Sequence, residues 1–86
     1  MENETKEPTT FATEKLVDIK KSENEVIRIA KSEYRGSRYI DIRIFFETKE
    51  GGEYRPTRKG IAIKEDIFGV FAEAVRSAEL LLNQSV

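Results

Sequence analysis

The sequence predicts an α+β fold: a four-stranded antiparallel sheet in meander order, followed by one C-terminal helix. Three observations predict it. Apolar and polar residues alternate with a period of two from Glu25 to Ile63, interrupted by glycine-containing turn signals. From Glu65 the apolar period lengthens to steps of three and four. The chain has 86 residues, no cysteine and no histidine, so it allows one small domain braced by neither disulfides nor thiolate metal sites.

The elements follow in order. Residues 1–13 are rich in Glu, Thr and Lys, with Pro8 and a single Phe11, and read as a mobile polar tail. The domain is expected over residues 14–86, with strands across about 15–64 and the helix across about 65–83. The stretch KLVDIKK, Lys15–Lys21, is the first strand, ended by the polar turn SENE. In EVIRIAKSEY, Glu25–Tyr34, Ile27 and Ile29 point one way while Arg28, Ala30, Ser32 and Tyr34 point the other. Gly36 permits a tight reversal. In SRYIDIRIFFE, Ser37–Glu47, Ile40, Ile42 and Ile44 share one face; Tyr39, Asp41, Arg43 and Phe45 share the other. TKEGGE supplies the next turn, and YRPTRKGIAI, Tyr54–Ile63, the last strand. Pro56 restricts that strand to an edge or a bulged start.

The helix carries Ile67, Val70, Phe71, Ala74, Val75, Ala78, Leu81 and Leu82 at helical spacing, a stripe about half the circumference wide. Glu65 and Asp66 fall in its first turn, where the helix dipole favours negative charge. Gly69 costs up to about 1 kcal/mol relative to alanine, which close packing against a neighbour would explain. One small sheet covers part of such a stripe. A second copy of the helix would cover the remainder, since a domain this small buries only about 60% of its unfolded surface alone. Phe71, Val75, Ala78 and Leu82 are the expected dimer contacts.

Charge narrows the function. Residues 1–24 carry six acids and four bases, residues 25–64 six acids and ten bases, and residues 65–86 four acids and one base. A formal net charge of −1 therefore hides a basic middle that attracts polyanions. Without histidine, and with no nucleophile–base constellation, an enzyme is not expected, nor any cofactor or metal. No stretch approaches the roughly 18 apolar residues of a membrane span, and the N-terminus lacks a secretory pattern. The protein reads as soluble and intracellular: cytoplasmic and nucleoid-associated in a prokaryote, nuclear in a eukaryote.

The bases lie on the strands and turns rather than the helix, where Arg76 stands alone among four acids. A helix reading a major groove needs the reverse, so duplex recognition by the helix is a poor fit. Arg alternating with Tyr or Phe on strands suits single-stranded nucleic acid instead. Rings stack on unpaired bases for about 1–3 kcal/mol each, and guanidinium and ammonium groups neutralise phosphates. The same residues also fit a solvated charged face with no ligand, and pattern alone weighs the two about equally. Asp41 reads as a structural ion-pair partner of Arg43 or Arg58, and Gly51, Gly52 and Gly60 as turn glycines.

The run YRGSRYIDIRIFFE…GGEYRPTRKGIAI strongly resembles the transcriptional positive cofactor 4 family of single-stranded DNA-binding coactivators, in its short prokaryotic form. The likeness covers roughly Leu16 to the end of the helix. It implies a twisted four-stranded sheet, a homodimer paired through the helix and adjoining sheet, and grooves along the sheets that hold single strands. By position, Tyr34 matches the ring before the first turn, Arg35 the base after it, Arg43 the arginine of DIR, and Phe46 a ring that is often tryptophan. Arg55, Arg58 and Lys59 match the bases flanking the Pro-Thr step. Ser37 departs from a frequent Lys or Arg, with Arg38 beside it. Strict alternation puts Arg43 and Phe46 on opposite faces, so a shared groove requires a bulge or strong twist near Phe45.

The expectation is a non-enzymatic, dimeric single-stranded DNA-binding protein of low sequence specificity in transcription, replication or repair. Tyr34, Tyr39 and Phe46 would stack; Arg28, Arg35, Arg38, Arg43, Arg55, Arg58 and Lys59 would meet phosphates. A single-stranded RNA binder or chaperone is one alternative. A protein-interaction module, with the transcription machinery as a candidate partner, is another.

Overall fold

The architecture was obtained as a computed structural model, which describes residues 12–84. Four strands, β1 (Ala12–Ser22), β2 (Glu25–Tyr34), β3 (Ser37–Glu47) and β4 (Tyr54–Lys64), precede one helix, α1 (Glu65–Gln84). They form one open antiparallel sheet in the order β1-β2-β3-β4, so the meander is observed. β1 begins three residues before the expected Lys15. The tail expected at residues 1–13 lies outside the described residues, apart from its last two positions, which open β1.

The turns follow their sequence chemistry. Gly36 and Gly52 have φ of 80° and 69°, a region glycine enters without a Cβ clash. Arg35 is the exception, a non-glycine residue at φ 53° beside Gly36. At the next hairpin the Thr48 amide donates to the Glu53 carbonyl at 2.7 Å, closing the TKEGGE turn.

Registry separates the sheet into two chemically distinct faces. Ile27 pairs with Ile44 and Ile29 with Ile42 between β2 and β3, and Ile40 with Ile63 and Ile42 with Ile61 between β3 and β4. These residues, with Val17 and Ile19 of β1, make an isoleucine face. The opposite, polar face presents Asp18, Arg28 and Arg43 in one cross-strand row and Lys15, Ala30, Asp41 and Ala62 in the next. Val26 and Ala30 are buried on the polar face, along with the polar Ser32 and Asp41, while Ile63 is buried on the other.

The single chain leaves much apolar surface uncovered. Among the described residues α1 touches only β3 and β4, and it buries none of its own residues. Val70, Val75, Leu81 and Leu82 are between 53% and 78% exposed. The neighbour expected at Gly69 is not found among the described residues, where a Cβ built there meets nothing within 4 Å. An ion pair from Arg38 Nη2 to Glu65 Oε1 (2.9 Å) ties the start of β3 to the first turn of α1. Both side chains are more than half exposed, so it contributes little, about 0.2–1 kcal/mol.

Candidate nucleic-acid interface

Arg28 and Arg43 stand directly opposite each other on the polar face, a like-charge pair that would repel if left alone. Each is held by its own carboxylate. Arg28 donates from Nε and Nη2 to the two oxygens of Asp18, at 2.8 and 3.0 Å. Arg43 donates from Nε and Nη2 to the two oxygens of Asp41, at 3.1 and 2.9 Å. The two partners left open for Asp41 thus resolve to Arg43. These two-pronged contacts hold Asp18 below its ordinary carboxylate range, mainly through the hydrogen bonds from Arg28. Both guanidinium groups are pushed up by the same hydrogen bonds.

Rings complete this network. The Arg28 guanidinium lies 4.3 Å from the centre of the Phe45 ring and 5.9 Å from that of Tyr54. Phe45, Tyr54 and Asp18 were not singled out as site residues. Their alternation parity was readable in the sequence, but the pairing of Arg28 with a residue ten positions earlier was not. A recess on the polar face runs from Lys15 of β1 past Arg28, Asp41, Arg43 and Phe45 to Pro56 of β4.

β4 departs from a plain strand at PTRKG. Arg43 pairs with Gly60 and Phe45 with Pro56, so Thr57, Arg58 and Lys59 all stand against the single residue Ile44. Pro56 is therefore both on an edge strand and at a bulge. The bulge breaks the ladder, and Thr57 repairs it: its hydroxyl donates to the Ile44 carbonyl at 2.9 Å and accepts the Lys59 amide at 3.1 Å. Arg43 Nη1 donates to the Thr57 carbonyl at 3.2 Å.

Gly60 is a mid-strand glycine rather than the turn residue expected. A Cβ there would stand 2.7 Å from the Ile42 carbonyl oxygen and 2.8 Å from Cβ and Cγ of Arg43. Glycine at this position leaves the room that Arg43 occupies.

The bulge lies in β4 and not in β3, which decides how Arg43 and Phe46 relate. β2 and β3 pair without interruption from Tyr34–Ser37 to Glu25–Phe46, so alternation along β3 is intact. Arg43 and Phe46 are on opposite faces. The expected residues accordingly divide into two groups. Arg28, Tyr34, Tyr39 and Arg43 share the polar face. Arg38, Phe46 and Arg55 share the isoleucine face, where Lys59 lines a shallow recess with Ile27, Ile42 and Ile44. Arg35 sits in the β2–β3 turn, its guanidinium 5.3 Å from the centre of the Tyr34 ring. Arg58 is exposed within the bulge.

Pairing divides the cations differently. Arg28, Arg38 and Arg43 have carboxylate partners, as does Lys31, whose Nζ is 3.6 Å from Glu14. Arg55, Arg58 and Lys59 make no ion pair among the described residues. Phe46, 40% exposed, pairs directly with Arg55. Glu50 and Glu53 line the recess on the hairpin side of that pair, and Glu25 of β2 stands opposite Phe46, near enough to Lys59 to feel its charge without forming an ion pair. Of the expected dimer contacts, Phe71 is half-buried beside Phe68, at 6.0 Å between ring centres, whereas Val75, Ala78 and Leu82 are exposed. Among the described residues no group of three acidic, histidine or cysteine side chains could hold a metal. No helix among the described residues is long and apolar enough to cross a membrane.

The family model described as Transcriptional Coactivator p15 (PC4) matches residues 19–74, a span that includes β2, β3, the whole β4 bulge and half of α1. The chain belongs to the PC4 family. Two crystal forms of a PC4 homologue from Burkholderia pseudomallei resemble it, each at 31% identity over 79% of this chain. They are covered over 98% and 90% of their own lengths, with TM-scores of 0.71 and 0.72. A bacteriophage T5 homologue of the eukaryotic transcription coactivator PC4, described as implicated in recombination-dependent DNA replication, is 23% identical. The match covers 83% of this chain and 85% of the phage protein at a TM-score of 0.54, a likeness of fold. No protein of curated function matches the sequence. The open sheet followed by one helix is thus the PC4 arrangement, and the family suggests a nucleic-acid-binding role in transcription or replication.

Proposed function

We propose that this PC4-family chain is a non-enzymatic protein that binds single-stranded DNA with little sequence preference, as a homodimer, in transcription, replication or repair. The observation that carries the reading is the half-exposed Phe46 ring beside Arg55, next to a bulge that projects Arg58 and Lys59 with no carboxylate within ion-pair distance among the described residues. A ring open to solvent can stack on an unpaired base, and cations not already neutralised can replace the counterions of its phosphates. Tyr34 and Arg35 offer the same pair of groups at the opposite end of β3. Tyr39 adds a ring on the polar face, and Arg28, Arg38 and Arg43 lend positive charge while held by their acids.

Dimerisation accounts for the uncovered apolar surface. Burying a half-exposed leucine or valine is worth about 1 kcal/mol or more, and α1 presents several in one stripe. A second copy laid along Phe71, Val75, Ala78 and Leu82 would cover them.

Fluorescence anisotropy with a short labelled oligonucleotide, single-stranded against duplex and DNA against RNA, tests the proposal. Single-stranded DNA should bind more tightly than duplex. With about four phosphates neutralised, log affinity should fall against log salt with a slope near −3. Preference for duplex, or binding indifferent to salt, would overturn it; preference for RNA would reassign the ligand. Light scattering should return twice the chain mass.

A further inference from the structure

Asp41 is an acid, nearly nine-tenths buried as a side chain, in a sheet read as binding a polyanion. Simple electrostatics makes it a liability there, because its charge opposes phosphate. Its contacts suggest another role. Asp41 fixes Arg43 through two hydrogen bonds, Arg43 fixes the Thr57 carbonyl through Nη1, and the Thr57 hydroxyl ties the far end of the bulge, the Lys59 amide, to the Ile44 carbonyl of β3. We propose that Asp41 and Thr57 are positioning residues: the relay Asp41–Arg43–Thr57 sets the shape of the β4 bulge and so the places from which Arg58 and Lys59 reach phosphate. This rests on the single-strand reading above and names what organises its cations.

Geometry favours a relay over three separate contacts. Three bulge residues face one residue of β3, so the ladder alone leaves Thr57–Lys59 without a unique course. The three hydrogen bonds at Thr57 supply one. The Arg43 side chain can lie across β4 to reach the Thr57 carbonyl because Gly60 has no Cβ in its way. Asp41 takes up the other edge of the same guanidinium and stops it from turning outward. Three of the five N–H donors of Arg43 are thereby committed within the protein.

The experiment is a cycle of variants read by salt-dependent binding of a single-stranded oligonucleotide, with circular dichroism melting to confirm folding. Asp41→Asn removes a negative charge from the site and keeps the side chain's shape. Charge alone predicts tighter binding; the relay predicts weaker binding. Thr57→Val keeps the volume and removes the hydroxyl. It should weaken binding by between about 5-fold and 25-fold at roughly 0.1 M salt, the loss of one to two phosphate contacts. Thr57→Ser, which retains the hydroxyl, should rescue it.

The deciding step places Thr57→Val in an Arg58→Gln, Lys59→Gln background. There it should cost nothing further, because the cations it positions are already gone. An undiminished cost in that background would overturn the proposal, as would tighter binding by Asp41→Asn. Should Asp41→Asn fail to fold, the Thr57 cycle decides alone. If wild-type protein does not bind single strands at all, the functional reading fails first. If it binds and the cycle is additive, only the relay fails.

Discussion

Two groups of arginines and lysines in this protein look alike in the sequence and differ in what surrounds them. On the polar face, Arg28 and Arg43 are gripped by Asp18 and Asp41, and Arg28 also lies over Phe45. In and beside the β4 bulge, Arg55, Arg58 and Lys59 project with no acid within ion-pair distance among the described residues. The first group resembles a structural clamp; the second is a cluster of cations without ion-pair partners among the described residues, which the single-strand proposal assigns to phosphate. A positive charge attracts phosphate in proportion to what has not already neutralised it, so count and position of arginines say less than their pairing.

That contrast can be broken by mutation. The largest effect expected is on stability, from the clamp: Phe45→Ala removes the ring beneath Arg28 and should cost about 2–3 kcal/mol, measured by chemical denaturation. It should leave the salt slope of oligonucleotide binding close to the wild-type value. A large fall in that slope would show that the polar face, not the bulge, meets phosphate. Next comes the paired loss of Arg58 and Lys59 as glutamines. Binding should weaken about 25-fold at roughly 0.1 M salt, and the slope should fall by about 1.4, with the melting temperature little changed. Retained affinity would place the phosphate contacts elsewhere.

The acid limb of stability sharpens the comparison. Asp18 is depressed below the ordinary 3.8 by its hydrogen bonds to Arg28. A group depressed in the folded state contributes fully above its unfolded value and loses that contribution as pH falls through its folded value. Wild-type protein should therefore lose stability as pH drops below about 3.8, and Asp18→Asn should flatten that part of the curve at a constant cost of about 1 kcal/mol. Denaturant titrations at several pH values would check it. Smallest, and opposite in sign, is Arg35→Asn. Asparagine tolerates the left-handed backbone that Arg35 adopts, so the variant should gain a few tenths of a kcal/mol while losing one cation near Tyr34. Tighter folding with weaker binding would mark Arg35 as kept for its charge.

Much of the fold was legible because alternation and turn chemistry are local. The bounds of β2 and β3, Glu25–Tyr34 and Ser37–Glu47, agree with the alternating runs, since Gly36 and the TKEGGE turn mark their ends. The change of period at Glu65 marks the start of α1 for the same reason. The site was legible only in part. Arg58 and Lys59 stood out as a basic run, but Thr57 between them and Pro56 carried no signal for its two hydrogen bonds. Gly60 read as a turn glycine because the close approach of Arg43 comes from 17 residues away in the chain.

By itself, the sequence determined which segments are strands, which is the helix, and that positive charge gathers in residues 25–64. Those outcomes depend on neighbours one to four positions apart, which any reader of the chain can see. Only the tertiary structure decided that Asp18 and Asp41 withdraw two arginines from solvent, that the extra residues of the bulge fall in β4, and that Phe46 faces away from Arg43. Each of these depends on cross-strand register, and sliding a register by one residue exchanges the two faces of a sheet.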